Sequence, residues 1–182
     1  MRYTDKHKAE TRARILAEAS RRLRKDGIAG TGLAPLMQGA GLTHGAFYAH
    51  FATKDALVEA ALDNAVEQTL ERWPPPANAA GLPAFLDGYL SPQHRDDPGA
   101  GCPLPSLAAE LGLRGTPSAS TDVLVARFAR ALDGCRLDAG PDNGLVALAA
   151  IVGALTLSRA VTDPATSQRI LDAVRVALSV PD

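Results

Sequence analysis

Gly39-Ala40-Gly41-Leu42-Thr43-His44-Gly45-Ala46-Phe47-Tyr48-Ala49-His50-Phe51 decides the fold. The stretch places a helix end, a tight turn and a short second helix with a polar and an aromatic face. That is the organisation of a helix-turn-helix reader of the DNA major groove. Gly39 and Gly41 are expected to supply backbone angles closed to other residues. Thr43 is expected to cap the second helix, its hydroxyl accepting an orphan backbone N–H.

The flanking sequence extends this pattern. Ala9, Ala13, Ile15, Leu16, Ala19 and Leu23 predict a first helix over 7–26 that Gly27 stops. A second helix over 33–40 turns Leu36 and Met37 inward, with Pro35 in its first turn. The reader helix covers 44–51. Thr53 caps a fourth helix over 54–73, buried through Leu57, Ala61, Ala65 and Leu70, and Pro74-Pro75-Pro76 ends it. A shorter helix holds Leu82, Phe85, Leu86, Tyr89 and Leu90. The polar segment 91–101, broken by Pro92 and Pro98, reads as a loop. Helix resumes near Pro105, and three long helices over 118–135, 143–161 and 165–180 finish the chain. Ala and Leu far outnumber Val and Ile, which favours helix over sheet. The expectation is an all-α fold of about nine helices, with a DNA-reading domain over 1–54 and a helical body over 55–182.

The chain has 182 residues, 46% of them hydrophobic, enough for a sizeable core. Its net charge of -1 conceals an asymmetry. Residues 1–54 carry +6 and residues 55–182 carry -7. A basic end on an acidic body suits nucleic-acid contact by one part only. The plainer reading makes Arg21, Arg22, Arg24 and Lys25 a solvated helix face. Nothing resembles a signal segment or the roughly 20 unbroken apolar residues of a membrane span, so a cytoplasmic protein is expected. The two cysteines, Cys102 and Cys135, make neither a disulfide framework nor a metal set.

Residues 1–57 resemble the DNA-binding domain of TetR-family transcriptional regulators. The resemblance rests on Arg14-Ile15-Leu16, Gly27, Leu36-Met37, Ala40-Gly41-Leu42, Phe47-Tyr48-Ala49-His50-Phe51 and Thr53-Lys54-Asp55-Ala56-Leu57. Gly32 stands where the family often has a capping Thr or Ser, and the neighbouring Thr31 is a candidate substitute. The resemblance implies a repressor of double-stranded operator DNA with a ligand-binding and dimerisation body. It places Thr43, His44, Gly45 and Ala46 at the start of the reader helix. Tyr48, His50 and Lys54 become phosphate or groove contacts; read from the residues themselves, Phe47 and Phe51 are core anchors, and packing is the competing role for His50. Chemistry fits: Lys54 brings a charge to a helix N-terminus, Gly45 permits close approach, and Ala46 suits a thymine methyl.

Gly101-Cys102-Pro103 with Leu107-Ala108-Ala109-Glu110 is similar to the subgroup that includes repressors of the N-ethylmaleimide reductase operon. That resemblance implies an electrophile-sensing thiol at Cys102, with a buried structural thiol as the competing reading. A small-molecule pocket would draw on Phe85, Tyr89, Leu107, Leu111 and Phe128, each of which reads equally well as core. The apolar helix 143–161 and its successor suggest a homodimer through Leu145, Leu148, Ile151, Val152, Leu155, Ile170, Val174 and Leu178. No cofactor or metal is implied, and no membrane contact. The alternative of another class is a helical enzyme or thiol-dependent redox protein. Phosphate-binding loop, zinc motif and nucleophile elbow are all missing from the sequence.

Overall fold

A computed structural model describes residues 2–135 and 142–179. Val180, expected to end the last helix, lies outside the described residues. Among those described there are nine α-helices and three short 3₁₀ segments, with no strand. The helices are α1 (Arg2–Gly30), α2 (Leu33–Gly39), α3 (Lys54–Arg72), α4 (Leu82–Tyr89), α5 (Pro92–Asp96), α6 (Leu104–Arg114), α7 (Ala119–Asp133), α8 (Asn143–Ala160) and α9 (Pro164–Leu178). The 3₁₀ segments are His44–Ala49, Ala79–Gly81 and Pro98–Ala100.

Two apolar cores organise these elements. The first gathers Ile15, Ala19, Leu23 and Ile28 of α1, Leu36 and Met37 of α2, Phe47, Phe51, and Leu57, Ala61 and Leu62 of α3. The second gathers Trp73, Phe85, Leu86, Tyr89, Cys102, Phe128, Leu132, Ile151, Leu155 and Leu171. Helix α3 serves both, its first half lining the first core and Val66 reaching the second. Leu107 and Leu111 of α6 belong to the first core. The body therefore reaches into the N-terminal module through α6.

Within α1 the expected stripe narrows. Ala9 and Ala13 are exposed, while Ile15, Ala19 and Leu23 are fully packed. Gly27 does interrupt the helix, at φ 75 and ψ 173, but one further helical turn follows it. The residue adopts an angle that side chains resist, and a Cβ there would press on the Glu110 carboxylate.

The segment 91–101 is not the loop expected. Ser91 accepts the His94 N–H at 3.1 Å and Pro92 opens α5. Asp97 accepts the Ala100 N–H at 3.2 Å and Pro98 opens a 3₁₀ turn. Each proline occupies a first-turn position where its missing N–H costs nothing, so it starts helix instead of breaking it. Asp163 and Pro164 begin α9 in the same way.

Candidate nucleic-acid interface

Helix α2 ends at Gly39, and Ala40 returns its N–H to Leu36. Gly41 then takes φ 70, the left-handed angle of a helix C-terminus. Leu42 closes the turn with an N–H to the Met37 carbonyl at 2.9 Å. Arg14 of α1 donates to the Ala40 carbonyl and pins the turn to the module. Gly39 is needed for space rather than for its angle: a Cβ there would collide with Glu18, which also holds Arg21 and Arg22. Only Gly41 of the two has the positive φ expected of both.

The reader itself is a 3₁₀ segment of six residues, His44–Ala49, shorter and tighter than an α-helix over 44–51. Thr43 occupies the capping position, yet its hydroxyl makes no capping bond; its carbonyl accepts the Ala46 N–H at 3.1 Å. The i→i+3 pattern brings that backbone group into reach first. Thr53, by contrast, caps α3 as expected, accepting the Ala56 N–H at 3.0 Å. Gly32 precedes α2 without a side-chain cap. Thr31 does not substitute: its hydroxyl donates to the Gly27 carbonyl at 2.6 Å.

Phe47 is fully buried and Phe51 nearly so, their rings stacked with centroids 5.9 Å apart. Tyr48 is turned the other way, 65% exposed, with its ring edge on Phe47 and on His44. Thr43, His44 and Gly45 are exposed and Ala46 half-buried. Nothing approaches a Cβ placed on Gly45. One surface thus carries a hydroxyl, an imidazole, bare backbone, a methyl and a phenol, all mounted on two anchored rings.

His50 and Lys54 sit differently. His50 is half-buried, and its Nδ1 has no hydrogen-bond partner. Burial lowers its pKa, with Lys8 and Arg12 adding repulsion. The Lys54 ammonium donates to the Ile28 carbonyl at 3.2 Å, tying α3 to the last turn of α1. An ammonium has two further protons for a phosphate. Arg24 does not join a solvated face: it is buried at 4% exposure, bonded to Ser20, Gly101 and Gln68.

The body disperses the other expected sites. Cys102 is wholly buried, and burial pushes its thiol up to about 11 against smaller opposing effects from Tyr89, Leu104, Arg159 and Arg24. Cys135 is buried too, its thiol donating to the Ala131 carbonyl. Tyr89 and Phe128 are core, with rings 6.1 Å apart edge to face. Leu107 and Leu111 lie in the other core, so the five expected pocket residues do not share a cavity. Phe85 alone among them lines a cleft of about 520 Å³, with Arg72, Trp73, the three prolines and His94.

Nor do the expected dimer contacts form one exposed face. Leu148, Ile151 and Leu155 are buried in their own chain, while Val152, Ile170, Val174 and Leu178 are half-buried against the body's core. Leu145 is 45% exposed. The open apolar positions on α8 are Val146 and Leu157, and on α9 Val176. Subtracting the 148, 151, 155 stripe from an apolar helix leaves 146, 150, 153 and 157 on the opposite face. Helix α8 is long and apolar enough to cross a membrane, but it packs between α7 and α9.

The fold and this surface define a class: an all-α protein with an N-terminal helix-turn-helix mounted on a helical body. Residues 15–61 match the profile of bacterial regulatory proteins of the tetR family. The HTH-type transcriptional regulator TtgR of Pseudomonas putida is 45% identical over 64 residues. That match covers 35% of this chain and 30% of TtgR's own length. Over nearly the whole chain the fold is that of TetR regulators. A TetR transcriptional regulator from Chloroflexus aurantiacus superposes with a TM-score of 0.72 at 22% identity, covering 96% of this chain and 94% of the other. The reduced form of E. coli NemR gives 0.69 at 21%, covering 93% and 95%.

Proposed function

We propose that this chain is a sequence-specific, DNA-binding transcriptional repressor and not an enzyme. It acts in the cytoplasm as a homodimer and leaves its operator when a small molecule binds the body. The observation that carries the reading is the 43–50 surface: short polar side chains and bare backbone held outward by Phe47 and Phe51. Thr43, His44, Gly45 and Ala46 face the major groove, and Tyr48 donates its hydroxyl to a phosphate. Lys54 adds a phosphate contact while keeping its bond to Ile28, and His50 contributes chiefly by packing. Reader and body divide near residues 54 and 55, with α3 carrying the connection.

Val146 and Leu157 of α8, with Leu145 and Val176, supply apolar surface for a second copy. Two linked readers bind a two-fold operator without a second association cost. Release by a reversible ligand is favoured over electrophile attack at Cys102, because a buried, protonated thiol is a poor nucleophile.

Operator selection followed by quantitative binding tests the proposal. The expected result is a two-fold site whose affinity falls steeply with salt and collapses in Tyr48→Ala. Binding indifferent to sequence and to the 43–50 substitutions would overturn it.

A further inference from the structure

The 520 Å³ cleft beside Trp73 lies in the size range of small-molecule sites. It opens where the three prolines stop α3, and the body's interior is meanwhile filled by Phe85, Tyr89 and Phe128. Its apolar walls are Trp73, Phe85 and the proline run. Its charged groups differ in their commitments. Asp87 faces the Arg175 guanidinium at 3.2 Å. His94 is neutral in this fold, since its Nε2 accepts the Cys102 N–H at 2.9 Å while Nδ1 lies 2.7 Å from the Tyr89 carbonyl. Arg72 is exposed and rests over the Trp73 ring at 5.1 Å from the centroid, with no carboxylate paired to it among the described residues. Among the described residues the cleft therefore presents one cation without a carboxylate partner, alongside apolar walls.

The floor of the cleft is bonded to the N-terminal module. His94 stacks on Trp73 at 4.0 Å and holds the backbone of Cys102, two residues before α6. Helix α6 carries Glu110, whose two oxygens accept the Ile28 and Ala29 N–H groups, each at 2.7 Å. These are orphan donors of the turn after the Gly27 break, the same turn whose Ile28 carbonyl binds Lys54.

We propose that this cleft binds a planar aromatic carboxylate, its carboxylate on Arg72 and its ring beside Trp73 and Phe85, and that Glu110 transmits its occupancy to the reader. A guanidinium and a carboxylate pair in one plane, which directs the attached ring towards the cleft's apolar walls. An occupant that moves the Trp73–His94 stack moves Cys102, and α6 carries the shift to the Ile28–Ala29 turn. The second half rests on the proposed role as a DNA-binding repressor; the first half does not.

Trp73 is the chain's single tryptophan, so its fluorescence reports the cleft directly. The probe is 4-nitrobenzoate, with neutral 4-nitrobenzamide as its matched control, titrated into the full chain and checked by calorimetry. The expected result is saturable Trp73 quenching by the acid, at least about tenfold weaker binding of the amide, and loss of that difference in Arg72→Gln. Absence of saturable binding, or equal binding of acid and amide, would overturn the site. Saturating 4-nitrobenzoate is then expected to weaken operator affinity about tenfold in the parent and less in Glu110→Gln, with ligand affinity unchanged. Equal weakening in both would overturn the role of Glu110. A chain that binds the acid but no operator under any condition would sink the regulatory reading and leave the cleft standing.

Discussion

The 43–50 surface and the interior of the helical body use their polar groups differently. In the reader the apolar residues are inside and the chemistry is outside: Phe47 and Phe51 are packed so that Thr43, His44 and Tyr48 face solvent. The body buries a polar network beside its apolar core. His94, Cys102, Ser158 and Ser167 are buried, and Arg24 enters from α1 to bond the Gly101 carbonyl. Arg159 donates to the backbone carbonyls of His94 and Arg95. Exposed contact residues can be exchanged at little cost in stability. Those of an interior polar network cannot, because each unpaired group costs its desolvation. Under the proposed function, the reader would set what is bound and the body's wiring how one site senses another.

The largest expected effect attacks the reader's foundation. Phe47→Ala removes a fully buried ring and should cost about 3–5 kcal/mol. Chemical denaturation measures it; a loss under about 1 kcal/mol would show that the ring is not the anchor of the segment.

The body's counterpart is a pH effect. Burial lowers His94 from its ordinary value of 6.5 to about 4. The unfolded chain binds this proton first, so stability falls as pH drops from about 6.5 towards 4. The loss approaches about 3 kcal/mol at its full extent. Melting curves across that window should slope more for the parent than for His94→Gln. Parallel slopes would mean that the histidine is not held neutral.

Smaller effects lie at the junctions. Gly41→Ala forces a side chain into φ 70 beside Arg14 and should cost about 1–2 kcal/mol, read as a lower melting temperature. Unchanged melting would move the turn elsewhere. Alkylation at neutral pH offers a kinetic comparison: Cys102 should label far more slowly in the folded chain than in denaturant. Comparable rates would restore the electrophile-sensing reading of Cys102. Least of all, Tyr48→Ala should change stability by only about 0.5 kcal/mol, since its side chain is largely exposed. A large loss would make Tyr48 a structural residue instead of a surface contact.

Much of the fold was legible because its signals are local. Gly27, Thr53 and the prolines after Trp73 act on their own backbone, and each falls where the chain breaks or starts a helix. The same kind of signal in Ser91-Pro92 and Asp97-Pro98 was readable as two helix starts, although proline first suggests a loop. The apolar α8 was legible as a helix with two apolar sides, but not which residues fall on which side, since every side of it is hydrophobic. Which face is buried depends on where α7 and α9 lie.

The amino-acid sequence by itself determined an all-α chain, the place of its helix-turn-helix and the outward chemistry of residues 43–48. Backbone angles, caps and aromatic anchors are decided within a few residues of one another. Tertiary structure alone decided that Leu107 and Leu111 serve the N-terminal core, that Glu110 caps a turn some eighty residues away, and that Cys102 lies sealed behind His94. Those outcomes depend on which distant elements share a core, and burial and hydrogen-bond partners are set only once the chain has closed on itself.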